Sequence, residues 1–260
     1  MLYYATFYKN LDLIRQMRMR YGLISDIHGN LEALETVLAE LNNLQVDAIL
    51  CLGDVVGYGP DPDECVKLVQ AHTTVCLMGN HDEASLGDTD LSFFNYVARE
   101  AIEWTSEHLN PDSKRFLRQL PYTYELDNHL FVHASPHEPH EWNYITSWEG
   151  AEQSFQAFHQ QACFVGHSHS PLVVGRNEHG AMQLHQSYPI SFENNHRYLI
   201  NIGSVGQPRD SNPAAAFGIL DTAKQEYTLM RAMYNVVKTQ KKIREAGLPG
   251  FLADRLAEGR

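Results

Sequence analysis

The sequence predicts an α/β fold in which buried strands deliver polar side chains from their carboxyl ends, with a second, antiparallel set of strands packed on the first. Three observations lead there. Apolar runs at residues 21–24, 48–52, 73–78, 129–132 and 162–165 each stop at a short polar cluster: Asp26-Ile27-His28, Gly53-Asp54, Gly79-Asn80-His81-Asp82, His133 and Gly166-His167-Ser168-His169. The first run is followed by Leu31, Leu34, Val37, Leu38 and Leu41, which recur at helical spacing. Residues 172–174, 181–184, 198–201, 215–220 and 227–230 then form short, closely spaced strand patterns, which suits antiparallel pairing in a second sheet. Open α/β sheets place their ligands beyond the carboxyl ends of the strands, where these polar clusters fall.

Taken in order, Asp26 and His28 stand two residues apart. On an extended strand end they would leave on one face, where a carboxylate and an imidazole can share a divalent cation. Gly29 permits a close turn, and Asn30 can cap the helix, whose amide-rich start favours anions. The second strand delivers Asp54 into a loop punctuated by Gly57, Gly59, Pro60 and Pro62, in which Tyr58 either packs or stacks on a base; packing is preferred. The third strand presents Asn80 and His81. Helical patterns cover residues 93–108 and 111–119, with Ile102, Trp104 and Phe116 assigned to the core. Asp127-Asn128 fits a hairpin turn between 122–126 and 129–132, and His133 closes the second of these strands. Residues 135–144 are expected to be a plain surface loop, the alternative being a lid whose Trp142 and Tyr144 offer a stacking platform. Two terminal helices, 235–246 and 249–258, are separated at Gly247 and Pro249.

Composition narrows the function classes. The chain of 260 residues suits one large domain over 19–260, enough to bury roughly three quarters of its unfolded surface. Its net charge of −12 argues against a nucleic acid polymer as partner, which needs a basic surface. A small anionic phosphate substrate, such as a nucleotide, remains compatible, because bound cations dominate the field of their own site. No apolar run approaches the ~20 residues needed to cross a bilayer. Residues 1–18 lack a basic leader and a small-residue cleavage site, and are expected to be a loose extension or a misassigned start. Cys51, Cys65, Cys76 and Cys163 show no paired spacing, which suits reduced thiols and a cytoplasmic location.

The five polar clusters, in this order, resemble the signature blocks of the calcineurin-like metallophosphoesterases. The segment Asn201-Ile202-Gly203-Ser204-Val205-Gly206-Gln207-Pro208-Arg209 is similar to a small bacterial branch that contains diadenosine tetraphosphate hydrolases and general phosphodiesterases. The resemblance implies a four-layer α/β/β/α sandwich, two mixed sheets flanked by helices. It implies two divalent transition-metal ions, of manganese, iron, zinc or nickel. One would be held by Asp26, His28, Asp54 and His169, the other by Asp54, Asn80, His133 and His167, with Asp54 bridging. His81 would stabilise or protonate the leaving oxygen, and Asp82 would orient its ring. Asn80 and Arg209 are the candidate substrate contacts, although Arg209 fits equally well as one half of a surface ion pair.

The implied function is hydrolysis of a phosphoester or phosphoanhydride, with diadenosine tetraphosphate, cut to ATP and AMP, as the specific expectation. A general phosphodiesterase or phosphatase on small substrates is the alternative. The chain departs from the protein Ser/Thr phosphatases, which carry an arginine shortly after the residue matching Asp54. A non-enzymatic scaffold on the same fold is the rival of another class. It would be expected to have lost ligands or the catalytic histidine, and all nine positions, the seven ligands with His81 and Asp82, are filled here.

Overall fold

The computed structural model describes residues 19–87 and 89–260. Strand β1 (Arg20–Ile24) shows how the layers form. Tyr21 and Leu23 point into the space between two sheets, and Ile24 points to the helices outside. Gly22, on that outer face, lets helix α1 (Leu31–Asn43) lie close: a Cβ there would meet Leu41 Cδ2 at 2.6 Å. Both faces of the strand are therefore covered, which explains the unbroken apolar run.

One sheet of six strands also contains β2 (Ala48–Cys51), β3 (Val75–Cys76), β9 (Ile190–Ser191), β11 (Ala215–Asp221) and β12 (Glu226–Ala232), in the order β3-β2-β1-β11-β12-β9. The other, in the order β4-β5-β6-β10-β7-β8, contains β4 (Thr123–Leu126), β5 (His129–Val132), β6 (Ala162–Val165), β7 (Leu172–Arg176), β8 (Met182–His185) and β10 (Arg197–Asn201). Both are mixed: β1–β2–β3 and β5–β6–β10 run parallel, and the remaining pairs antiparallel. Between them Leu50, Leu52 and Leu77 meet Phe131, Phe164, Tyr198 and Ile200. Helices α1 and α2 (Pro62–His72) cover the outer face of the first sheet, and α6 (Trp148–Ala157) covers that of the second. The four-layer sandwich is thus observed.

The allocation of strands differs from expectation. The late strands do not form the second sheet by themselves. β11 pairs antiparallel with β1, Tyr21 opposite Leu220, while β5 and β6 of the polar-tipped series belong to the second sheet. A strand buried on both faces, as β11 is, carries no pattern that says which sheet will accept it. Helices α2 and α6 were not expected. Helix α4 (Tyr96–His108) begins later than the periodicity suggests, because Asn95 caps it by accepting from Ala98 N; Leu91–Phe93 forms a separate 3-10 turn. The short helix α3 (Asn80–Ala84) precedes that turn in the chain, and α5 (Pro111–Leu117) follows α4. The terminal helices α7 (Val236–Glu245) and α8 (Gly250–Asp254) pack on Tyr58, Ala98 and Ala101. The expectation for residues 1–18 lies outside the described residues. Among the described residues no helix is long and apolar enough to cross a membrane, and all four cysteines are buried and free.

Candidate metal centre

Asp26 and His28 do not sit on an extended strand tip. Both follow the end of β1 in the left-handed region, at φ 53° and 51°, and Asp54, His167 and His169 share that conformation at 54°, 63° and 60°. Such residues cost ~1–3 kcal/mol each and persist only where neighbours hold them. The neighbours are backbone groups. Asp26 N donates to Gly53 O, Ile27 N and His28 N donate to Asp54 O, and Gly29 N donates to Val55 O, all at 2.8–3.0 Å. On the other side Val205 N and Gly206 N donate to Ser25 O and Asp26 O at 2.9 Å. The fit leaves no room for a side chain at two glycines. A Cβ on Gly79 would stand 2.1 Å from Asp54 Oδ1, and one on Gly206 would stand 1.8 Å from Ile27 O.

These loops gather two buried groups of side chains whose ligand atoms lie within 4.8 Å of one another: Asp26, His28, Asp54 and His169, and then Asp54, His133 and His167. Asp54 belongs to both. Its Oδ1 accepts from His81 N at 2.8 Å, while Oδ2 has no hydrogen-bond donor and lies 3.5 Å from His28 Nε2 and 3.3 Å from His133 Nε2. Asn80 reaches the second group through Oδ1, 3.3 Å from His133 Nε2. Three rings are turned by carbonyls: His28 Nδ1 toward Val56 O, His133 Nδ1 toward Leu52 O and His169 Nδ1 toward Gln207 O, at 3.1, 2.8 and 2.7 Å. A proton on each Nδ1 leaves the Nε2 lone pair aimed at the cluster, as metal-binding imidazoles require.

The electrostatics agree with a site for cations. Burial holds His28 and His169 well below the usual imidazole range and lowers His81 to about 4 and His167 to about 3. Neutral rings are the ligand form. Burial would raise Asp54, yet the charges of His133 and His81 hold it well below the carboxylate range. His133 is lifted to about 10, against burial, by the Asp54 charge. A cation bound here would displace the proton from His133, because metal binding releases ligand protons. Orphaned Asp54 Oδ2 and His167 Nε2, buried and without partners, fit the same purpose.

His81 belongs to neither group. Its ring packs between Tyr58 at 4.4 Å and Phe94 at 5.5 Å, and its Nδ1 has no partner. Asp82 does not orient it, contrary to expectation: Asp82 Oδ1 and Oδ2 accept from Val56 N and Gly79 N, each at 3.1 Å, so this carboxylate ties two loops together. Tyr58, buried against His28 and His81, is a packing residue in this geometry. Arg209 forms no ion pair among the described residues. It donates to Gln207 Oε1 and lies 5.7 Å from the Tyr58 ring centre, and its charge is felt by His28, His81, His167 and His169. The loop over 135–144 is not plain surface: Tyr144 stacks on His167 at 3.9 Å and Trp142 meets His133 at 5.8 Å. Sequence reasoning missed Phe94 and the carbonyls of Leu52, Val56 and Gln207. The carbonyls had no signal to find, since every residue carries one.

A double-sheet sandwich with shared Asp and His clusters at its strand ends defines a metallophosphoesterase. The chain belongs to the calcineurin-like phosphoesterase superfamily, whose domain pattern matches residues 19–225. A metallophosphoesterase from Sphaerobacter thermophilus has a crystal structure similar to this one, with a TM-score of 0.83 and 41% identity over 94% of this chain and 100% of that one. An uncharacterized protein of Methanocaldococcus jannaschii is 38% identical over 243 residues, 92% of this chain and 98% of that protein. A hypothetical protein from Pyrococcus horikoshii shares the fold, with a TM-score of 0.75 at 17% identity over 93% of this chain and 98% of its own. The chain is a metal-dependent phosphoester hydrolase.

Proposed function

We propose that residues 19–260 act as one domain that hydrolyses small phosphoesters or phosphoanhydrides with two divalent transition-metal ions. The observation that carries this reading is Asp54 Oδ2, orphaned where two groups of buried Asp and His side chains meet. Asp26, His28, Asp54 and His169 would hold one ion, and Asp54, Asn80, His133 and His167 the other. Such a pair supplies Lewis acidity, an activated water and charge for the in-line transition state. The chain's own part is to fix these ligands through the carbonyls of Leu52, Val56 and Gln207 and to keep their side chains buried. As the water oxygen bonds to phosphorus, the bond from phosphorus to the leaving oxygen breaks. The N–H of the neutral His81 ring would donate a hydrogen bond to that oxygen and stabilise the charge it gains, and solvent would supply its proton. Arg209 stands ready to hold a second anionic group, and Asn80 to touch the reacting phosphate.

The segment around Arg209 keeps diadenosine tetraphosphate, cut to ATP and AMP, among the candidate substrates beside simple phosphodiesters. The four free, buried cysteines support a reducing, cytoplasmic setting. The test is to load the protein with manganese, iron, zinc or nickel, count ions by elemental analysis, and follow bis(4-nitrophenyl) phosphate and diadenosine tetraphosphate. One ion or none at saturation would sink the binuclear reading.

A further inference from the structure

Beside the ligand clusters opens a cavity of about 590 Å³ whose base contains Asn80, His81 and His167. Its walls are aromatic, and three of the rings rest on a histidine below. Phe94 stands edge-on to His81, Trp142 edge-on to His133, and Tyr144 lies flat on His167. Trp142 is anchored there: its Nε1 donates to Glu83 Oε2 at 3.3 Å, and the other oxygen of Glu83 accepts from the Tyr122 hydroxyl. At the rim Phe93 is 90% exposed and Tyr144 56% exposed, so ring surface faces the opening without protein cover.

The charge of this cavity has the opposite sign to what a polyanion needs. Glu83, Asp90 and Glu141 line it, and the described lining includes no lysine or arginine. Arg209 stands behind the lining, 5.7 Å from the ring centre of Tyr58, and its charge reaches His81, His167 and Tyr144, so it offsets the three carboxylates only in part. Screening at physiological salt acts over a Debye length of ~8 Å, so a chain of phosphates that extends toward Glu83, Asp90 and Glu141 meets their charge. His81, the residue that faces the leaving oxygen, sits in the base, so whatever leaves the phosphorus leaves into this space.

We propose that the cavity is the leaving-group site and selects a flat aromatic group, a nucleoside or an aryl alcohol, that carries no phosphate beyond the reacting one. The inference rests on the hydrolase reading and narrows its substrate: phosphodiesters of aromatic alcohols are favoured over dinucleoside polyphosphates. Stacking on the wall rings supplies affinity that any base or aryl ring can use, and the carboxylates reject further phosphate.

Adenylyl-adenosine and diadenosine tetraphosphate carry the same two nucleosides and differ in the number of phosphates between them. Each is competed, at fixed free metal, against hydrolysis of bis(4-nitrophenyl) phosphate. The single-phosphate compound is expected to inhibit at least ~10-fold more tightly, and loss of one stacking ring in Phe94→Leu to weaken it about 10-fold. Glu141→Gln should bring the two inhibitors closer together. Tighter inhibition by the tetraphosphate in the unaltered protein overturns the proposal, as does unchanged inhibition in metal-replete Phe94→Leu. Should Phe94→Leu fail to fold, Tyr144→Leu, at an exposed ring, takes its place. If no ester is hydrolysed, the hydrolase reading falls and the cavity is judged without turnover, by saturation-transfer NMR with adenosine and with 4-nitrophenol. Transfer lost in the variant supports the site and tells the nucleoside from the aryl source; no transfer from either compound overturns it.

Discussion

The floor of the site and its walls are built on opposite terms. Asp26, His28, Asp54, His133 and His169 are at most 2% exposed, and the first three and His169 hold left-handed backbone clamped by bonds from three other loops. Phe93 and Tyr144 stand exposed on turns outside both sheets, and Trp142, half-buried, is held by its bond to Glu83 and by packing against Tyr122 and the core. A floor that must place atoms to within a few tenths of an ångström for a cation needs that over-determination. A wall that offers ring faces tolerates looser placement, since stacking depends weakly on lateral position. The comparison predicts that floor substitutions act on chemistry, metal content and stability together, whereas wall substitutions act on affinity alone.

The largest effect should follow from the atom shared by both clusters. Asp54→Asn removes the bridging charge and is expected to drop metal content from about two ions per chain to below one, with turnover lower by more than ~10⁴-fold, as befits the several kcal/mol an ion contributes. Elemental analysis paired with a diester assay reads both. Next comes His81→Ala, which should keep its metal and lose ~100- to 10,000-fold in kcat; should it shed metal as a His167→Ala protein would, His81 is a ligand and its separate role is wrong.

Gly79→Ala probes the tightness of the floor. Its new Cβ would lie 2.1 Å from Asp54 Oδ1 and 2.3 Å from Asp54 N, so a loss of ~1–3 kcal/mol and a fall in metal content are expected. Denaturant unfolding with metal titration checks this, and an unchanged midpoint with full metal would show a softer floor than the geometry implies. Tyr144→Leu should raise KM for bis(4-nitrophenyl) phosphate about 10-fold with kcat within a factor of two; a matching fall in kcat would mean that the ring also positions His167. The smallest effect belongs to Phe93→Ala. At 90% exposure it should change stability by less than ~0.5 kcal/mol, and a larger shift in thermal unfolding would reveal a contact in solution that the fold does not show.

The sequence by itself determined the floor. Polar residues that end apolar runs are costly to bury without a purpose, so Asp26, His28, Asp54, Asn80, His133, His167 and His169 stood out at the strand ends, and the structure gathers them. The sandwich was legible through the resemblance of those blocks to the metallophosphoesterases, and strands apolar on both faces agree with it, since they need cover on both. Three things were decided only in three dimensions. β11 joined β1, and β6 joined the second sheet, because pairing between distant segments is a contest that no local pattern records. Asp82 turned to Val56 N and Gly79 N rather than to His81, because two buried amides at the loop crossing needed an acceptor. Phe94 became a wall beside Trp142 and Tyr144, which the sequence offered only as the alternative to a plain loop, because an aromatic outside a helix or strand has no periodicity to mark it. Its meaning depends on which histidine the folded chain places beneath it.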